Sequence, residues 1–267
     1  MDTSAYQMIP LTSGDRSAAL QAGFRFGAKG THTSRTIMLA ELRGLLQAAG
    51  PHCDRSDYVA AVIEENCLAK KTVATRRLTA QRLTELYGLD PSIPIFRVLR
   101  KLWDLDERSR PLLAIQCAIA RDPLLAATAQ PILSLPIGSD FLREPVKAAL
   151  MESVGERLSE SILNKVVRNA ASSWTQSGHL EGRALKKRRQ VHPTPANVAY
   201  SLFLARCAGF RGAELFSCGW MVLLDCSPSM ARDLAFEAKR LGLIDLRMAA
   251  DVIELNLDRL SSGIQGL

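Results

Sequence analysis

The stretch from Ser159 to Pro193 constrains the chain more than any other, because a helix, a glycine stop and a basic excursion follow one another in it. Leu163, Val167, Ala170, Ala171 and Trp174 recur at three- and four-residue spacing. An apolar stripe of that period is one face of an α-helix turned inward. Asn164, Arg168, Ser172 and Thr175 then fall on the outward face, and Gly178 supplies the left-handed residue that stops the helix. Beyond it come His179, Leu180, Glu181 and Gly182, then the run Lys186, Lys187, Arg188, Arg189. A polar helix face followed by a cationic loop has the order of a recognition helix and wing in a winged helix-turn-helix. Such a helix lies in a DNA groove while the loop meets phosphate.

The rest of the chain is punctuated in the same helical manner. Thr33 or Ser34 is positioned to cap a helix reaching about Ala49, with Leu42, Leu45 and Leu46 inward and Gly50-Pro51 ending it. Asp54 or Ser56 opens the next, through Tyr58, Val59, Val62 and Ile63 to about Asn66. Thr72 then caps a helix with Leu83 and Leu86 inward, stopped by Gly88. Its outward Thr75, Arg76, Thr79 and Arg82, close behind the preceding helix, give it the look of a helix-turn-helix. Ile93–Trp103, Pro111–Ala120 and Leu124–Ala129 continue the series, and Ser139 or Asp140 caps a further helix. Thr194-Pro195 and Ser227-Pro228 are cap-plus-proline starts, and Glu214–Leu224 reads as another apolar helix. Ile244, Leu246, Met248 and then Ile253, Leu255, Leu257 alternate with period two, the mark of a β-hairpin.

These signals predict a mainly α protein: a helical N-terminal half followed by winged helix-turn-helix-like units with a short C-terminal β-hairpin. Residues 1–32 are weakly patterned and expected to be poorly ordered, with Phe24 and Phe26 as possible anchors. Residues 33–152 form the helical part and residues 153–267 the winged-helix-like part. Pro111–Gly138 is strongly apolar, but Arg121-Asp122-Pro123 interrupts it and Pro131 and Pro136 follow, so two core helices are expected there and no membrane span. The start Met1–Ser13 has no signal-peptide pattern. The six cysteines include no C-x-x-C pair, and none has a histidine at zinc spacing. A reduced cytoplasmic protein without metal is expected.

Charge points to the partner. The net charge is +7 and the isoelectric point about 9.3, which favours an anionic ligand. Two stretches hold the excess. Asn66–Leu102 carries eight Lys/Arg against Glu85 and Asp90, and Ser159–Pro193 carries seven against Glu160 and Glu181. Thr194–Leu267, by contrast, has seven basic residues against eight acidic ones, so its surface is expected to meet protein. Lys70, Lys71, Arg76, Arg77 and Arg82 would form one phosphate-binding patch and Lys186, Lys187, Arg188 and Arg189 the other. Asn164, Arg168 and Thr175 are the candidates for base edges. His179 and His192 flank the basic run and are weaker candidates for phosphate contact.

Nothing in the sequence carries catalysis. There is no Gly-rich phosphate loop followed by Lys-Ser/Thr, no H-E-x-x-H and no G-x-S-x-G. The acids Asp104, Asp106 and Glu107 read as a solvated loop between helices. The expectation is a protein that is not an enzyme and uses no cofactor.

The order of features resembles a known family. The residues that carry it are Asn66-Cys67-Leu68-Ala69-Lys70-Lys71 followed by Thr75-Arg76-Arg77, then Arg110-Pro111-Leu112-Leu113 with Arg121-Asp122-Pro123-Leu124-Leu125. Trp174, Ser177-Gly178-His179-Leu180 and Gly182 complete the set. Together these resemble the BrxA component of bacterial BREX phage-defence systems, described as NusB-like and once labelled an inner-membrane protein, over roughly Thr33 to Leu257. The resemblance implies a non-enzymatic, helical DNA-binding protein working beside a methyltransferase and other defence proteins, and with the two basic stretches the leading expectation is binding of double-stranded DNA, largely through phosphates. Two other functions compete: an RNA-binding, NusB- or antitermination-like factor, and an adaptor holding a defence complex together through protein contacts.

Overall fold

Capping side chains set several of the helix starts. A computed structural model describes residues 16–27, 29–249 and 252–261. Its first helices are α1 (Ser17–Ala22), α2 (Leu39–Ala48), α3 (Arg55–Ile63), α4 (Val73–Tyr87), α5 (Pro94–Trp103) and α6 (Arg110–Arg121). Asp54 caps α3 through a reciprocal box with Asp57, and Thr72 caps α4 by accepting from the Thr75 amide. Gly88, at φ 94°, ends α4 in a conformation that penalises any side chain. Asp122 terminates α6 and caps α7 (Pro123–Ala127), accepting from the Leu124 and Leu125 amides. This is the expected break in the apolar run. No helix among the described residues is long and apolar enough to cross a membrane.

α8 (Ala129–Leu133) and α9 (Arg143–Val154) lead to α10 (Glu160–Gln176), capped by Ser159. After Gly178 (φ 90°) the chain forms a hairpin, β1 (Leu180–Glu181) against β2 (Lys187–Arg188), antiparallel. α11 (Pro195–Cys207) has its Thr194–Asn197 capping box, α12 (Gly219–Val222) follows, and Ser227 caps α13 (Pro228–Arg240). The C-terminal hairpin pairs β3 (Asp245–Ala249) with β4 (Val252–Asn256), Leu246 opposite Leu255 and Met248 opposite Ile253, before α14 (Asp258–Ser261). The protein is mainly α-helical with a C-terminal β-hairpin. One apolar cluster runs from Ala19 to Leu260, and α11 packs on both α5 and α6.

Several expectations need correction. The segment before residue 33 is packed where it is described: α1 is formed, and Phe24, Thr31 and His32 are buried. The remainder of that segment, residues 1–15 and 28, lies outside the described residues. The following helix begins at Leu39 rather than at Thr33 or Ser34. Side chains of α10 take the backbone donors that a helix would have used: the Ile37 amide donates to Ser173 Oγ at 3.0 Å and the Leu39 amide to Gln176 Oε1 at 3.0 Å. Ser139 and Asp140 cap nothing. Their segment pairs with β2, with Arg188 N donating to Ser139 O and Phe141 N to Lys186 O, and α9 starts only at Arg143. Glu214–Leu224 is not one helix but a 3-10 turn, Gly212–Phe216, and then α12. The link between α3 and α4, residues 64–72, is longer than the roughly three or four residues of a helix-turn-helix. Thr79, expected outward, is buried on the α4 inner face.

Candidate nucleic-acid interface

β2 anchors the surface that matters. It lies between β1 on one side and residues 138–141 on the other, with Gly138 N donating to Arg188 O at 2.8 Å and Phe141 N to Lys186 O at 2.8 Å. Because residues 138–141 run into α9, the start of that helix is carried to the outer face of α10. The result is an open groove of about 880 Å³. Its walls are the outer face of α10 (Arg168, Ser172, Thr175), the hairpin loop (Arg183, Leu185, Lys186) and the approach to α9 (Asp140, Arg143). Four cations, Arg143, Arg168, Arg183 and Lys186, stand against the single carboxylate of Asp140.

Strand alternation sorts the basic run. Lys187 and Arg189 are exposed, with loose partners in Asp140 at 3.8 Å and Glu181 at 3.0 Å. Pairs at such exposed positions contribute little and exchange readily for other anions. Arg188 points the opposite way and is 1% exposed. It pairs with Asp225 and donates to the Arg189 carbonyl. Asp225 in turn accepts from the Val191 amide at 2.9 Å. Arg188 is therefore removed from the phosphate-binding set, since leaving Asp225 would strand a buried charge.

Lys186 is half-buried, its Nζ donating to Thr175 Oγ1 at 2.8 Å and to the Gly182 carbonyl at 2.9 Å. Burial lowers its pKa. Thr175 also donates to the Ala171 carbonyl at 2.8 Å, so its proton is committed and its hydroxyl can only accept. Asn164 and Arg168 are exposed on α10. His179 is buried beneath the hairpin, bonded to Ser177 and to the Leu223 carbonyl, and cannot meet phosphate. His192 is exposed.

The first basic stretch is largely spent on internal contacts. Lys70 Nζ pairs with Glu41 at 3.0 Å. Arg76 closes the turn between α3 and α4, its guanidinium donating to the Ile63 carbonyl at 3.1 Å and the Lys70 carbonyl at 3.4 Å. Arg82 pairs with Glu85 at 2.7 Å. Burial raises the Glu85 carboxyl, but hydrogen bonds from Arg82, Thr31 and Gln81 outweigh it and hold the pKa below its ordinary value. Lys71 and Arg77 are exposed and carry no ion pair to a described residue. The aromatic residues nearest in sequence, Tyr87, Phe96 and Trp103, are buried, so this stretch offers no platform for stacking unpaired bases. The first turn of α2 sits between the two stretches: Leu39 is bonded to Gln176 of α10 and Glu41 to Lys70.

Two groups belonging to this surface escaped the sequence. Arg143 is far from the basic run in the chain, and only the pairing of residues 138–141 with β2 brings it in. Arg183 is part of the basic stretch, and the glycine before it was the available sign of a loop tip. A third arrangement was also invisible. His32 Nδ1 lies 2.7 Å from Asp122 Oδ2, and its Nε2 lies 2.8 Å from Ser173 Oγ. These are the distances of a hydrolase triad. Ser173, however, is fully buried, donates to the Asn169 carbonyl at 2.8 Å and accepts from the Ile37 amide. A hydroxyl so enclosed has no approach for a substrate, and the trio clips the segment before α2 to α6 and α10. Among the described residues no group of three or more His, Cys, Asp or Glu side chains is placed to hold a metal ion. No protein-family model matches the chain, and no curated protein matches it by sequence comparison.

Proposed function

We propose that the protein is a non-enzymatic DNA-binding component of a BREX-type phage-defence system and grips duplex DNA mainly through phosphates, at the groove beside α10. The observation that carries this reading is the convergence of Arg143, Arg168, Arg183 and Lys186 on one open groove, with Lys187 and Arg189 exposed on its hairpin. An exposed polar helix face next to a cationic hairpin suits a duplex, with the hairpin meeting the backbone and Arg168 and Asn164 facing base edges. The defence context and partnership with other defence proteins rest on the resemblance described above, and the cytoplasmic location rests on the free cysteines. Lys71 and Arg77 would extend the contact past α2.

Fluorescence anisotropy with a labelled duplex tests this. If about six phosphates are neutralised, log K falls with log salt at a slope of roughly −5. Reversing Arg143, Arg168 and Arg183 to glutamate should abolish binding while leaving the melting temperature unchanged, because all three are exposed. No binding of duplex even at low salt overturns the reading. Preference for structured RNA in direct competition replaces it with the RNA-binding alternative.

A further inference from the structure

We propose that Leu185, at the tip of the β1–β2 hairpin, is an apolar wedge that enters a base step and bends the duplex. This rests on the duplex-binding reading and adds a deformation to it. Leu185 is 84% exposed, more than any other large hydrophobic side chain among the described residues. A single exposed leucine is ordinary on a protein surface; this one is set apart by standing at the tip of a hairpin between cations and beside the groove. Its surroundings indicate what would cover it. From Gly182 to Arg189 the chain contains no acid, and Arg183, Lys186 and Lys187 stand on either side of Leu185. The covering partner is therefore anionic around an apolar centre. A duplex matches that description: phosphates flank each groove, and the stacked bases between them present apolar faces once a step is opened.

The tip is also built to resist being pushed back. Lys186 ties the loop at both sides, through Thr175 of α10 and the Gly182 carbonyl. Phe141 N holds the Lys186 carbonyl from the neighbouring segment at 2.8 Å. Gly182 adopts φ 111°, and a Cβ there would run into the Leu185 carbonyl oxygen, so the loop folds tightly on itself and only glycine permits it. A wedge must be stiffer than the stack it opens, and this hairpin is braced on α10. Proteins of this kind pay the cost of unstacking with the extra surface that bent DNA wraps, and kink the helix by roughly 20–90°. Here the wrapped surface would be the α10 face, with Arg168 and Arg143 beside it.

The experiment uses the full chain and a duplex of about 30 base pairs, short against the bending persistence length. The duplex carries a donor and acceptor at its ends and 2-aminopurine at central steps. Binding is read by anisotropy, bending by energy transfer and unstacking by 2-aminopurine emission, for the wild type, Leu185→Ala and Leu185→Ser. The wild type should raise both energy transfer and emission. Both variants should still bind, weakened less than about tenfold because the phosphate contacts remain, and should lose the energy-transfer and emission changes. Equal melting temperatures would exclude misfolding of the variants. A bend that persists without Leu185, or a wild type that binds a straight duplex, overturns the wedge alone. Failure of the wild type to bind duplex overturns the underlying reading and the wedge with it. Leu185-dependent binding to anionic phospholipid vesicles without duplex binding assigns the leucine to a membrane surface and also overturns it.

Discussion

Acidification from about pH 7 to about pH 5 should remove roughly 2 kcal/mol of stability through His179 alone. The ring is fully buried under the β1–β2 hairpin. Its Nε2 faces the Leu223 carbonyl at 2.8 Å, an oxygen that can only accept, so Nε2 carries the proton. Nδ1 faces the Ser177 hydroxyl at 2.8 Å, whose single proton lies between Nδ1 and the Trp174 carbonyl at 3.0 Å. The ring also meets Trp174 edge-on, with centroids 4.9 Å apart. A second proton would put a charge into this enclosure. Burial pushes the His179 pKa down to about 4; the Leu223 carbonyl opposes that, the Arg188 charge adds to it and Asp225 opposes it. In the unfolded chain the same ring titrates at its ordinary 6.5. Between the two values only the unfolded chain takes up the proton. Stability is therefore fully present above about pH 6.5, falls as pH falls, and levels off near pH 4. Integrating that difference down to pH 5, at about 1.4 kcal/mol per pH unit, gives the stated loss. Urea unfolding of the wild type and His179→Gln across this range isolates it, because the other histidines and the carboxylates are common to both proteins. The wild type should lose about 2 kcal/mol more than the variant between the two pH values. Parallel pH dependence in the two proteins would refute the enclosure argument.

The buried arginine and its exposed neighbours should separate cleanly. Arg188→Ala should cost about 3–5 kcal/mol by leaving Asp225 without its partner, whereas Lys187→Ala with Arg189→Ala should stay within roughly 0.5 kcal/mol of wild type and weaken DNA binding instead. Chemical denaturation alongside a binding titration checks both halves. Trp174 is buried with its indole N–H on Thr128 Oγ1 at 2.9 Å, so Trp174→Ala should lose about 3–5 kcal/mol, read as a lowered urea midpoint. Burial raises the thiols of Cys117 and Cys218 to about 11. In native protein near neutral pH both should resist a maleimide until denaturant is added, and mass spectrometry showing prompt labelling of either would contradict their burial.

Local signals made the helices legible, and distant partners made the rest illegible. Thr72, Thr194 and Ser227 could be read as caps because the groups they satisfy lie within three residues. The start of α2 was misread for the opposite reason: its backbone donors are taken by Ser173 and Gln176, more than a hundred residues away. The site follows the same division. Arg168 and Asn164 could be placed outward from the period of α10 alone. Arg143 could not, since only the pairing of residues 138–141 with β2 brings it to the groove. The run Lys186, Lys187, Arg188, Arg189 shows where the limit falls. As composition it is one basic patch, but a strand turns successive side chains to opposite faces, so no such run can present every charge to one ligand. Alternation alone would have split it into two sets. Which set faced inward depended on Asp225, a residue 37 positions further along, whose carboxylate gives the buried guanidinium a partner. The inward set is Lys186, half-buried with its Nζ on Thr175, and Arg188, fully buried on Asp225, so one charge of the four is withdrawn from the surface.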